Sequence, residues 1–172
     1  MQTLKTLNYN YMKTTILAIL TTILFFSCQL KKENPVIDIT AEKAKIEETI
    51  KSSIGWAVNN KDTSILFGII PKDENFLEVH PNNHVVKGFT EFKKAEKFWL
   101  DPRFKAIKTE VWDLRINLSQ DGTVAWFFCM LNDMNECDGQ PANWENTRWT
   151  GVLEKREGKW WIVQQHFSFA QE

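Results

Sequence analysis

Apolar residues recur at two different intervals along this chain, and the change of interval divides it. In residues 40–60, Ile46, Ile50, Ile54, Ala57 and Val58 return at helical spacing, with Trp56 at the edge of that face. The spacing predicts a helix capped by Thr40 and ending near Asn59-Asn60. Asp62-Thr63-Ser64 starts a short second helix through Ile65, Leu66 and Phe67, which Pro71 stops. Residues 76–80 and 84–87 read as short strands around a Pro81-Asn82-Asn83 turn, and Gly88 closes the second. Thr90 caps a third helix with Phe92, Ala95, Phe98 and Trp99 as its apolar stripe. Phe89 is a staple outside the cap, and Asp101-Pro102 ends the helix.

Beyond residue 106 the interval falls to two. Trp112, Leu114, Ile116 and Leu118 alternate with Asp113, Arg115 and Asn117, as in a strand with one face in water. Asp121-Gly122 supplies a hairpin turn. Residues 124–131 are almost wholly apolar, as expected of a central strand covered on both faces, and a polar excursion over 132–143 follows. Residues 144–154 and 160–169 complete the sheet around a Glu157-Gly158 turn. Three helices interleaved with two short strands, then four long antiparallel strands, predict an α+β domain with helices on one face of a curved sheet.

The front of the chain follows neither interval. Met12-Lys13 precedes an uncharged run over residues 14–26, which ends at Ser27-Cys28. A positive start, an apolar stretch and a small residue before the cut describe an export signal over residues 1–27, with Met12 as an alternative start. The run is shorter than the ~20 apolar residues a membrane span needs. Phe25-Phe26-Ser27-Cys28 resembles a lipobox, in which Cys28 carries the acyl chains (palmitate among them) and becomes the first mature residue. An ordinary secretory signal followed by a cysteine is the alternative. Residues 28–39, with Lys31-Lys32-Glu33-Asn34-Pro35, have the composition of a flexible linker. The reading is therefore an exported bacterial lipoprotein of the cell envelope, its soluble domain (residues 40–172) held at a membrane through lipidated Cys28.

Composition narrows the partners. The net charge is -1 and no basic stripe stands out, which argues against nucleic acid. Cys129 and Cys137 are expected to stay unpaired if one extended strand carries both; a chain reversal near Asn132-Asp133 would allow a bond. No Cys-x-x-Cys or His-Glu-x-x-His spacing points to a metal, and no cofactor motif is expected. All eight tryptophans follow residue 40, while both tyrosines, Tyr9 and Tyr11, precede the domain.

Residues 147–169 carry a specific likeness. Arg148 and Thr150 on one strand, Gly158 at the turn, Trp160 opening the last strand, and His166 with Ser168 near its end resemble the C-terminal hairpin of SnoaL-like proteins, in the nuclear transport factor 2-like superfamily. The element order upstream agrees. The relatives' last strand often carries two histidines two apart, whereas Gln164 holds the earlier position here. The resemblance implies a cone, with a curved antiparallel sheet wrapped around three N-terminal helices in a cystatin-like roll. It also implies a pocket between sheet and helices, and in many cases a homodimer through the outer sheet face. It further implies that Gln164, His166 and Ser168 face that pocket, on the same face as Trp160 and Ile162.

From these residues a site is expected. Trp56, Trp99 and Trp112 would wall an apolar cavity, and Arg148, Thr150, Gln164, His166 and Ser168 would anchor a ligand. His80 and His84 flank the Pro81 turn and are expected in solvent or at the rim. The preferred function is binding of a small apolar or amphipathic molecule. A proton-transfer enzyme of the dehydratase or isomerase type, using His166 with Asp113 or Glu78, is the first alternative. A ketosteroid isomerase mechanism that relies on a tyrosine hydroxyl is excluded for a domain without tyrosine. A second alternative is a protein-interaction domain docking through exposed Trp149, Trp161 and Phe167.

Overall fold

The computed structural model describes residues 37–58 and 60–170. The export signal, Cys28, the tether up to Val36, and Asn59 at the expected end of the first helix lie outside the described residues.

Helix α1 (Ile39–Gly55) is capped by Asp38, whose carboxylate accepts the Ala41 N–H at 3.0 Å. Thr40, expected as the cap, lies inside the first turn. The buried stripe is Glu42, Ile46, Ile50 and Ser53, and Trp56 follows it inward. Ile54 is half-buried, and Val58 lies beyond the helix with 40% of its surface exposed. Helix α2 (Thr63–Phe67) is capped by Asp62, which accepts from the Ser64 N–H at 2.9 Å. Strands β1 (Leu77–Val79) and β2 (Val85–Lys87) form the short hairpin.

The third helix is broken into α3 (Phe89–Phe92), a 3-10 turn over Lys93–Ala95, and α4 (Glu96–Trp99). Its N-cap is Gly88 at φ 79°, a conformation that favours glycine. Thr90, expected as that cap, instead donates its hydroxyl to Glu74 Oε1 at 3.1 Å. The break turns Phe98 outward to 51% exposure, so it leaves the expected stripe.

The long strands are β3 (Phe104–Leu118), β4 (Val124–Cys137), β6 (Trp144–Arg156) and β7 (Lys159–Ser168), and a two-residue β5 (Gln140–Pro141) pairs with the end of β4. The sheet order is β2-β1-β7-β6-β4-β3. Every pairing is antiparallel except β1 with β7, which is parallel, so the sheet is mixed where a wholly antiparallel one was expected.

Bulges decide which side chains face inward, because one extra residue flips every later side chain on that strand. On β3 the register slips between Trp112 and Arg115, with Asp113 at φ 47°. Leu114, Ile116 and Leu118 pack on the core, while Trp112 is left 38% exposed. On β7 the register slips at Val163: Leu153 pairs with Ile162, but Val152 pairs with Gln164. Trp160 and Ile162 therefore point in, and after the slip so do Gln165 and Phe167. A third bulge, between Leu131–Thr147 and Asp133–Trp144, has Asn146 at φ 51°.

The core lies between α1 and the concave face, where Ile46 and Ile50 join Phe127, Leu131, Trp149, Leu153 and Ile162. The convex face is only partly covered. Trp126 on β4 is 48% exposed, so this strand is not buried on both faces as its composition suggested. The would-be docking aromatics Trp149 and Phe167 are buried on the concave side, and Trp161 is half-buried. Cys129 and Cys137 are both free and both on β4; burial pushes the Cys129 thiol up to about 12.

Helix and sheet are pinned at the end where the chain enters. Glu42 accepts from Trp160 Nε1 and pairs with Lys155 Nζ, each at 2.8 Å. The Lys155 contact holds its carboxyl at about 2, well below the ordinary carboxylate range.

Candidate functional site

At the other end the cone does not fill. A cavity of about 640 Å³ lies between the last turn of α1, the broken third helix and the concave sheet. Its wall is aromatic: Trp56 meets Trp99 edge-on at 5.4 Å, Phe92 meets Trp99 at 5.3 Å, and Trp144 meets Phe167 at 5.2 Å. The size and the apolar lining suit a small organic ligand.

Polar groups collect on the sheet side. Glu78 on β1 and Gln165 on β7 are register partners in the parallel pair, both buried, and Gln165 Nε2 donates to Glu78 Oε2. The other carboxylate oxygen, Oε1, lies 2.7 Å from Nε2 of His80, which leaves the end of β1. That contact is close but off the line of the imidazole N–H, so the ring nitrogen has no directed hydrogen bond. The His80 ring is held edge-on to Trp144 at 5.7 Å and lies 4.9 Å from His84, whose side chain is exposed at the mouth. From β4 come Asp133 and Asn135, with Asn135 Nδ2 donating to Asp133 Oδ2 at 2.8 Å. Burial pushes the Asp133 carboxyl above the usual carboxylate range, against the opposing pull of that hydrogen bond.

An imidazole beside a buried carboxylate, a second carboxyl that burial pushes above the usual range, and an aromatic wall can together hold an amphipathic molecule or move a proton on it. Among the described residues no group of three His, Cys, Asp or Glu side chains is arranged to hold a metal ion.

The SnoaL-like domain family model matches residues 46–172, more than half of the chain.

The chain belongs to the SnoaL-like family.

No curated protein matches it in sequence. Solved structures of the nuclear transport factor 2-like fold are similar to this SnoaL-like domain in shape. A candidate dehydratase of that family from Streptomyces avermitilis is 14% identical, with TM-score 0.65 over 77% of this chain and 99% of the other. A protein of unknown function from Prochlorococcus is 16% identical, with TM-score 0.61 over 76% of this chain and 94% of the other. A hexachlorocyclohexane dehydrochlorinase is 14% identical, with TM-score 0.62 over 77% of this chain and 95% of the other. At these identities the likeness is one of fold.

The SnoaL-like fold brings only part of the expected site together. Trp56 and Trp99 line the cavity, and so does Glu78. His166 does not: the slip at Val163 turns it, with Gln164 and Ser168, to the convex face, where it pairs in register with exposed Thr150. Arg148 is exposed there and donates to the Phe169 carbonyl. Thr150, Gln164 and Asp113 border a shallow outer groove, with Asp113 in an ion pair with Arg115 at 3.0 Å. Trp112 borders a second outer groove. The residues that sequence reasoning missed are His80 as a wall residue, Asp133, Asn135, Trp144 and Gln165. Asp133 and Asn135 were read as part of a polar loop, but they continue the inward alternation of Cys129 and Leu131 on β4.

Proposed function

We propose that this SnoaL-like domain binds a small apolar or amphipathic molecule in its end cavity, close to the bacterial membrane that lipidated Cys28 would tether it to. The cavity carries the proposal: about 640 Å³, walled by tryptophan and phenylalanine, with buried Glu78, Gln165 and Asn135 gathered on the sheet side. The tether rests on the sequence of residues 14–28. Among the described residues no helix is long and apolar enough to cross a membrane.

Thermal unfolding of the full chain against a panel of small apolar and amphipathic molecules tests the binding. A true ligand at a hundredfold excess over its Kd stabilises by about 2.7 kcal/mol. Ala57→Phe, which fills the cavity, abolishes that response. A panel that leaves Tm unmoved, or a response that survives Ala57→Phe, overturns the reading.

The 2.7 Å approach of His80 to Glu78 favours a second reading, proton transfer on the bound molecule. Relatives of this fold carry dehydratase and dehydrochlorinase names. In this chain His80, beside the Glu78 carboxylate, would take the proton, and Asp133, when protonated, would assist a leaving group. Turnover lost in both His80→Ala and Asp133→Asn supports this reading; a substrate converted equally by both variants removes it.

A further inference from the structure

The hydrogen-bonding groups at the inner end of the cavity are mostly acceptors. Glu78 has His80 Nε2 2.7 Å from Oε1, with no directed hydrogen bond, and takes the Gln165 amide on Oε2. That second contact fixes the Gln165 amide, since turning it over would set a carbonyl oxygen against a carboxylate. Gln165 is only 4% exposed, and its Oε1 is left without a donor. Asp133 takes the Asn135 amide on Oδ2, and no hydrogen bond among the described residues reaches its Oδ1. Of the groups able to answer an anion, Lys94 and His84 stand exposed at the mouth, and the inner one, His80, has its Nε2 2.7 Å from the Glu78 carboxylate. A buried acceptor without a donor is costly, and a ligand that brings the donor removes the cost.

We infer that the cavity's ligand carries a hydrogen-bond-donating head, a hydroxyl or a protonated amine, on an apolar body, and that a carboxylate head is refused. This rests on the binding reading above and deepens it. The head lies among Gln165, Asp133 and Glu78, and the body lies against Trp56 and Trp99. The aromatic faces tolerate a cation there.

The test uses three probes of one size, 2-phenylethanol, 2-phenylethylamine and phenylacetate, titrated into the full chain and read by calorimetry and tryptophan fluorescence. The alcohol or the amine binds at least tenfold more tightly than phenylacetate, and the tighter of the two tells which head the site prefers. Gln165→Leu shrinks the gap; Asp133→Asn, a milder change, shrinks the amine's share of it. Phenylacetate binding as tightly as the better of the other two overturns the inference while the cavity remains a binding site. Failure of all three probes to bind, together with a panel that leaves Tm unmoved, removes the binding reading and this inference with it.

Discussion

Gln165 donates to Glu78 across the parallel β1–β7 pair, and the register of that pair is what faces the two side chains. Each is weak evidence of a site alone. Together they bury a carboxylate next to His80, at the one end of the cone that the core leaves unfilled.

The two histidines that sequence and structure nominate separate cleanly. His80→Ala removes a neighbour from a buried carboxylate and is expected to lower stability by about 1–3 kcal/mol and to abolish ligand-induced stabilisation. His166→Ala, on the convex face, changes stability by no more than about 0.5 kcal/mol and leaves the ligand response intact. Paired thermal and urea unfolding of both variants checks this.

Asp133 predicts a pH-dependent gain. Its folded-state carboxyl titrates above the unfolded 3.8, so the folded state holds the proton more tightly. Stability is therefore lost as pH rises from the unfolded value through the folded one. Asp133→Asn abolishes that loss: the variant is more stable than the parent at about pH 7, and the two converge below about pH 3. Urea midpoints across that range decide it.

Glu42 behaves in the opposite sense. Its carboxyl titrates at about 2 in the fold against 4.5 for the ordinary group, so its contribution is complete above the higher value and disappears as pH falls through the lower. Glu42→Gln is expected to cost about 2–3 kcal/mol at neutral pH, with the difference from the parent closing towards about pH 2. Acid titration of both proteins by circular dichroism measures it.

Gly151 makes room for the core. A Cβ there would lie 2.5 Å from Phe127 Cε1 and 2.7 Å from the Gln164 carbonyl oxygen. Gly151→Ala overpacks the β4–β6–β7 junction and is expected to destabilise by about 1–3 kcal/mol in urea unfolding.

The element order was legible because it depends on spacing alone: Ile46 and Ile50 announce a helix, and Leu114, Ile116 and Leu118 announce a strand. The facing of side chains was not, because alternation carries no mark where a strand gains a residue. Trp112 was grouped with Leu114, Ile116 and Leu118 by counting in twos, and His166 was set inward with Trp160 and Ile162 by the family resemblance; a bulge inside each stretch split the group. One signal was available. Asp113 and Asn146 are residue types that tolerate a left-handed backbone, set inside otherwise strand-like runs, and both sit at bulges. Nothing comparable marks Val163. The parallel approach of β1 to β7, on which the Glu78–Gln165 contact depends, joins segments some 87 residues apart and has no local signature.

Ile37 packs over Gly122, at the tip of the β3–β4 hairpin, and the chain then runs the length of α1 before it reaches Trp56 and the cavity. A helix of 17 residues covers about 25 Å. Any leash joined at Ile37 thus pulls on the closed tip of the cone while the opening points the other way. The point of attachment and the cavity thus sit a helix length apart, so a leash joined there need not pass the opening.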